Sequence, residues 1–392
     1  MHNHYINDLL NLKGIIVKNI KNSNNEIIIS VETKHHVCVC PHCGSSTSKI
    51  KDYHNQLIKD VPIQFKKTFL SLKKRRYICK NCNKSFYEKL DFLPKYYRST
   101  NRLIAYIYDQ LTTNKSMKQI AFDANVSSNK IMRTIDLFDC ENTTLPDVIS
   151  IDEFKGNTGY YKYQVSLIDS KNHKIIDILP CRYKHELCTY FKKFSYEKRC
   201  NVKYFISDLY EIYKDISMTY FPCAKIIADR FHYFRYINSA LNDVRKQVQK
   251  NLPRSEQKYF FRSRKIFLSK MSELSPEQMD KLNYILINYS EKLRIIYREK
   301  EAILNIIHSN DSIWAKNQFN EWIKRNINTD IPELSEVAKT YHHWAYEIKN
   351  SLETPYSNGV IEGFNNKIKT LKRIAFGFRN FKRFRTRILL LA

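Results

Sequence analysis

The chain has 392 residues and is 43% hydrophobic and 13% aromatic, enough for two or three cored domains and too apolar for a largely disordered polypeptide. Sixty-six Lys and Arg against 39 Asp and Glu leave a formal net charge of +27, a self-repulsion that suits a polyanionic partner, nucleic acid before an anionic membrane surface. No apolar run approaches the roughly 18 residues of a bilayer span, and the opening residues lack a signal-peptide pattern, so no membrane partner and a cytoplasmic location are expected.

Residues 1–97 read as a β domain organised by cysteine. Ile15 to Val31 is strand-like on both sides of a turn at Lys21 to Asn25. Five of the ten cysteines then fall in two clusters, CVCPHCG at 38–44 and CKNC at 79–82. Close clustering in an intracellular chain favours metal over disulfides. Cys40, Cys43, Cys79 and Cys82 form two CxxC pairs, the spacing of a tetrahedral thiolate site for Zn2+, and four sulfurs leave no open position, so the ion would be structural. Cys38, His42 and the His35/His36 pair are competing ligands. The intervening residues have room for a hairpin, with Thr68 to Ile78 as a strand. Lys73, Lys74, Arg75 and Arg76 form a basic run beside the second knuckle, suited to phosphate contacts.

In residues 98–145 the hydrophobic period becomes helical, with Leu103, Ile104, Ile107 and Leu111 on one face. A short helix over Ser116 to Asp123, a turn at Asn125 and Val126, and a second helix from Ser127 to Phe138, capped by Ser127 or Ser128, resemble a helix-turn-helix. Ile120, Ala121, Val126 and Ile131 would lie inside. Ser128, Asn129, Lys130 and Arg133 would face a DNA groove.

Residues 146–232 carry the acids. Val148 to Gly156 reads VISIDEFKG, a strand that places Ile149, Ile151 and Glu153 on one side and Val148, Ser150 and Asp152 on the other. Tyr160 to Ile168 and Lys174 to Leu179 continue as a meander. A helix over His185 to Glu197 follows, then a strand over Val202 to Ser207 ending at Asp208, and a strand over Lys225 to Ala228 ending at Asp229. Three hairpin strands, a crossover helix and two further strands ending in Asp give the order of a ribonuclease-H-like mixed sheet. A carboxylate in such a sheet needs a partner or a metal ion.

Residues 233–350 are helical throughout. Ser275-Pro276 reads as a cap and first position, an apolar stripe runs from Leu282 through Ile303, and further helices cover Trp314 to Trp322 and Val337 to Leu352. In residues 351–392, Ser357 or Asn358 would cap a helix burying Ile361, Phe364, Ile368, Leu371 and Ala375, with Glu362 beside that face. From Glu362 to the last residue there are nine Lys or Arg and one acid, Glu362 itself, which gives a flank suited to phosphates. Lys369, Lys372, Arg373, Arg379, Lys382 and Arg383 are its expected DNA contacts.

Motifs along nearly the whole length resemble the ISL3-type insertion-sequence transposases of the acidic-triad (DDE) superfamily. They are CPHCG at 40–44, DVP at 60–62, CKNCNKSF at 79–86, IDEFK at 151–155, FPCAKIIADRFH at 221–232 and SNGVIEGFNNKIK at 357–369, the last running on through GFRNF to residue 381. The resemblance implies an α+β multidomain chain: a zinc-binding β domain, a helix-turn-helix domain, and a ribonuclease-H-like core interrupted by an all-helical insertion. It makes Asp152 and Glu362 the first and last triad members. Asp208 stands where the superfamily places its middle acid. The alternative is Asp229, in a DxxH element with His232, and Asp229 and His232 otherwise support the site. Glu153 is expected to be structural.

The implied chemistry is metal-dependent cleavage of double-stranded DNA at transposon terminal repeats, followed by strand transfer to target DNA. Two Mg2+ ions, or Mn2+, held by Asp152, Asp208 and Glu362 would serve it. Paired ends suit a homodimer. The alternative is a non-catalytic zinc and helix-turn-helix DNA-binding protein derived from a transposase. An RNA-binding or ribonuclease-H-like hydrolase fits only the core.

Overall fold

The computed structural model describes residues 10–12, 14–138, 141–375 and 377–391; Phe376 of the C-terminal motif and Cys140 lie outside them. The chain divides into two compact units, residues 1–140 with 370–392, and residues 141–369.

In the first unit, β1 (Ile15–Asn22) and β2 (Glu26–Thr33) form a hairpin around the expected turn. A small hairpin, β3 (Cys38–Val39) and β4 (Ser46–Thr47), carries the first CxxC pair between its strands. The stretch between the cysteine clusters is a long hairpin, β5 (Ile50–Ile63) and β6 (Lys66–Ile78), and β7 (Ser85–Tyr87) pairs with the end of β6. Its two-residue turn places Gln64 at φ +53° and Phe65 at φ +62°, the left-handed pair that matches strand twist. The sheet order is β1-β2-β6-β5, with β2 and β6 parallel. Alternate residues Ile27, Ile29, Val31, Leu70 and Leu72 fill its core.

Three helices follow, α1 (Asn101–Leu111), α2 (Met117–Asp123) and α3 (Ser128–Ile135). Thr100, Ser116 and Ser127 cap them by accepting the backbone N–H three residues on. Leu103, Ile107, Ile120, Ile131 and Ile135 form their shared core.

The second unit is built on a five-stranded sheet. β8 (Val148–Thr158), β9 (Tyr161–Asp169) and β10 (Lys174–Leu179) are an antiparallel meander, and β11 (Tyr204–Ser207) and β12 (Lys225–Ala228) add on parallel to β8. The order β10-β9-β8-β11-β12 is the ribonuclease-H arrangement. Near the hairpin end, Gly156 leaves room for the buried Gln164 side chain, which a Cβ there would displace. One face buries Ile149, Ile151, Val165, Leu167 and Phe205 under α4 (Lys184–Phe191) and α6 (Glu211–Tyr220). The helix expected over His185 to Glu197 is two pieces. Buried Phe194 turns the chain after α4, and Ser195 caps a short α5 (Tyr196–Cys200).

Beyond β12 the chain is helical: α7 (Arg230–Lys250), α8 (Arg254–Arg262), α9 (Arg264–Leu268), α10 (Pro276–Asn288), α11 (Glu291–Ile307), α12 (Ser312–Asn326), α13 (Pro332–His343) and α14 (Ala345–Leu352). Ser275 and Gln278 make a reciprocal capping box with Pro276 in the first turn. The stripe from Leu282 to Ile303 is not one helix, since Ser290 accepts from Leu293 N–H and starts α11. Likewise the helix expected over Val337 to Leu352 breaks at the buried Trp344. Leu241, Phe260, Ile296, Phe319, Trp322 and Tyr341 belong to one core. The chain then returns to the sheet as α15 (Gly359–Ile374), whose Ile361 and Phe364 pack on Ile168, and ends in α16 (Phe381–Leu391).

Candidate active site and cysteine cluster

The middle of one strand, the ends of two others and a helix start bring the acids together. Asp152 lies in β8, opposite Ser166 of β9. Asp208 directly follows β11, and Asp229 directly follows β12, its N–H donating to Ser207 O at 2.8 Å. α7 begins at the next residue and sets His232 in its first turn, where ring Nδ1 and Asp229 Oδ2 are 2.7 Å apart. Asp152, Asp208 and His232 each offer a ligand atom, all within 4.8 Å of one another.

Burial pushes the Asp152 carboxyl up to about 6; the Glu153 backbone N–H and His232 act against the rise, and Asp208 and Asp229 add to it. Burial also raises Asp208, against His232, with Glu153 and Asp229 repelling its charge. The hydrogen bond to Asp229 raises His232. The donor set fits a divalent cation: two carboxylates and an imidazole are ligands for one, and Asp208 Oδ1 is buried with no hydrogen-bond partner among the described residues. With Asp229 holding Nδ1, the other imidazole nitrogen is left for a ligand.

Glu362 sits in the first turn of α15, exposed and outside the group of three. Its helix nevertheless reaches the site. Asn358 N–H donates to Asp229 Oδ1 at 3.3 Å, and Asn365 Nδ2 donates to Asp152 Oδ2 at 2.8 Å. Neither contact was legible in the chain; the signal for Asn365 was its place one helical turn after Glu362. Glu153 pairs with Arg182, whose Nη1 lies 2.8 and 2.9 Å from its two carboxylate oxygens.

In the first unit, Cys40, Cys43, Cys79 and Cys82 converge, with sulfurs 3.7 Å apart for Cys40/Cys82 and 3.5 Å for Cys43/Cys79. Hydrogen bonds from Ser45 lower the Cys43 thiol to about 6, whereas Cys82, against the Lys84 backbone N–H, is pushed up to about 11 by burial and the neighbouring thiols, so the four share protons that a bound cation would displace. Cys38, His35, His36 and His42 are not members of this group.

Among the basic residues, Arg75 is a correction. Alternation along β6 turns it inward, where it is 6% exposed, donates to Thr33 and lies 3.8 Å from Glu88. It is thus a structural ion-pair residue and not a phosphate contact. Lys73 is exposed over the Tyr53 ring, while Lys74 and Arg76 flank Tyr87. Ser128, Asn129 and Arg133 are exposed on α3, and Lys130 lies over Tyr97. Lys369, Arg373, Arg379 and Lys382 are exposed and Lys372 is half-buried, whereas Arg383 pairs with Asp136 at 2.7 Å. Arg387, one of the nine cations of this stretch, is buried and donates to Thr113 O and Lys115 O.

A ribonuclease-H sheet with carboxylates clustered within one strand and at the end of its neighbour defines a core for metal-assisted phosphodiester chemistry. Residues 149–388 match the family of ISL3-type DDE transposases, and residues 36–82 match the zinc-finger of the transposases of IS204, IS1001, IS1096 and IS1165. The chain belongs to the ISL3 family of DDE transposases, and is a DNA-cleaving transposase. It is 23% identical over 353 residues to the transposase for insertion sequence element IS1001 of Bordetella parapertussis, covering 88% of this chain and 86% of that one. It is 24% identical over 255 residues to the transposase for insertion sequence element IS1557 of Mycobacterium tuberculosis, 59% of this chain and 57% of the relative. A 106-residue stretch is 36% identical to a Lactococcus lactis protein named an ATP-dependent protease, 27% of this chain and 32% of that protein. No described helix is long and apolar enough to cross a membrane.

Proposed function

We propose that Asp152, Asp208 and Glu362 are the catalytic carboxylates of this transposase, that they hold two Mg2+ or Mn2+ ions, and that the chain cuts double-stranded DNA at transposon terminal repeats and joins the freed 3′-hydroxyl to target DNA. The observation that carries this is the convergence on one point of Asp152 from within β8, Asp208 from the end of β11 and His232 from the first turn of α7. Bound divalent ions would activate the oxygen nucleophile and offset charge on the in-line phosphoryl group. The chain's residues supply the rest. Asp152 and Asp208 present hard oxygens from two adjacent strands, and Asp229 orients His232 beside them. Glu362 adds the third carboxylate from α15, one turn from the Asn365 contact. Asp208 is the middle acid on this reading, since it and not Asp229 stands in the cluster.

Terminal-repeat recognition falls to residues 1–97, with zinc on Cys40, Cys43, Cys79 and Cys82, and to the helix-turn-helix at 98–145. Lys73, Lys74, Arg76, Ser128, Asn129, Lys130 and Arg133 are its contacts. Residues 146–232 and 351–392 make the catalytic core around a helical insertion at 233–350, and Lys369, Lys372, Arg373, Arg379, Lys382 and Arg383 clamp phosphates. Two copies bind paired ends in the bacterial cytoplasm, on the nucleoid.

The test is incubation of end-labelled terminal-repeat DNA with protein and Mg2+. The parent is expected to cut, and Asp152→Ala, Asp208→Ala and Glu362→Gln are expected to bind DNA without cutting. Cleavage by Asp152→Ala at the parent rate would end this reading. Cleavage by Asp208→Ala with loss in Asp229→Ala would move the middle acid.

A further inference from the structure

Asn365 is buried on α15, one turn past Glu362 and 213 residues from the strand it meets. Its Nδ2 donates to Asp152 Oδ2 at 2.8 Å, and its Oδ1 accepts from the Ser166 hydroxyl at 3.0 Å. Ser166 is the cross-strand neighbour of Asp152, so one amide closes a ring of contacts over a single rung of the sheet. The orientation of the amide follows from chemistry. Turned over, it would set a carbonyl against a carboxylate, two acceptors face to face. The other carboxylate oxygen of Asp152, Oδ1, accepts the Glu153 backbone N–H at 2.8 Å. One donor on each oxygen fixes the plane of the carboxylate. Each oxygen still has a lone pair for a cation.

We infer that Asn365 is a positioning residue of this active site: its amide sets the Asp152 carboxylate in the orientation that receives a divalent ion, and the same bond holds the Glu362 helix to β8. The inference rests on the reading of Asp152 as a metal-holding carboxylate. It gives the asparagine of the E-G-F-N segment a task distinct from helix packing, which Ile361 and Phe364 already perform on Ile168. Ser166 belongs to the same device: its hydroxyl, 3.0 Å from Asn365 Oδ1 and 3.2 Å from Asp152 O, holds the carbonyl end of the amide while Asp152 holds the other.

The experiment compares Asn365→Leu, which keeps side-chain bulk but removes the donor, with Ser166→Ala and Asp152→Ala in the full-length zinc-loaded protein. Mn2+ binding is followed by paramagnetic resonance of free Mn2+, and cleavage of labelled terminal-repeat DNA is followed separately. For Asn365→Leu, Mn2+ affinity is expected to fall about tenfold to a hundredfold, the range for groups that orient metal ligands. The kcat should fall with it while KM for DNA stays at the parent value, a split that loss of packing alone would not give. Ser166→Ala is expected to shift both readouts in the same direction by less. Parent-like Mn2+ affinity and kcat in both variants, with Asp152→Ala losing both, would overturn the role of Asn365 and leave the site standing. Retention of both by Asp152→Ala would remove the site itself. Should Asn365→Leu fail to fold, Ser166→Ala decides alone, since it leaves the helix face unchanged.

Discussion

Replacing Asp152 by Asn should make the protein more stable at neutral pH while abolishing its chemistry. Burial and neighbouring acids raise this carboxyl from 3.8 to about 6, so the folded state holds a proton that the unfolded chain releases. The sign follows from linkage. Below pH 3.8 both states are protonated and the group costs nothing. Between 3.8 and about 6 the unfolded chain binds fewer protons, so stability falls as pH rises. Above that window the full penalty remains, at most roughly 3 kcal/mol for a change of this size.

Asparagine carries no charge and escapes that penalty. It keeps an acceptor for the Glu153 N–H but loses an acceptor facing Asn365, a loss of about 1 kcal/mol. The net gain for Asp152→Asn should be about 1–2 kcal/mol at pH 7.5, vanishing or reversing near pH 4. Urea unfolding of parent and variant without added Mg2+ or Mn2+, at pH steps from 4 to 8, measures it directly. A variant less stable than the parent at pH 8, or a stability difference that does not change with pH, would refute the argument that Asp152 is held in an unfavourable ionised state.

Three other outcomes follow from the geometry. Cys79→Ser should release the bound zinc, expected at one ion per chain by elemental analysis, and abolish the thermal transition of the N-terminal β domain, because Cys79 is buried in the cluster. Arg75→Ala should cost about 3–5 kcal/mol by stranding buried Glu88, whereas exposed Lys73→Ala should leave the melting temperature in place and lower the salt dependence of DNA binding by about one phosphate contact. Trp322→Ala should destabilise the helical block by about 3–5 kcal/mol in calorimetry, since the indole is 1% exposed and donates to Glu299 O.

What could be read from the chain depended on whether a residue's partner was local. The CxxC pairs, the Ser-Pro cap at 275–276 and strands ending in Asp208 and Asp229 are signals within a few residues, and the structure shows the corresponding elements. Period alone failed where a polar cap interrupts an otherwise continuous stripe. Ser195 and Ser290 start new helices because their hydroxyls satisfy backbone N–H groups that a continuing helix would not expose. Arg75 was misread from composition, as one of four adjacent cations. On a strand, adjacent cations face opposite sides, and Glu88 and Thr33 wait on the inner one.

The same argument explains why the acids could be named but their orientation could not. Asp152 and Asp208 occupy neighbouring parallel strands, so topology alone puts their backbones side by side. Topology does not choose a side-chain rotamer. That choice comes from Asn365 and from the Glu153 N–H, one of them across 213 residues of chain. Between β12 and α15 lies the helical block, which buries its own apolar surface. It lets the chain leave the sheet after Asp229 and return at Asn358, where a backbone N–H meets that same Asp229 carboxylate. Departure and return are therefore tied at one side chain, and an insertion of this size can be accommodated without loosening the carboxylates it separates in sequence.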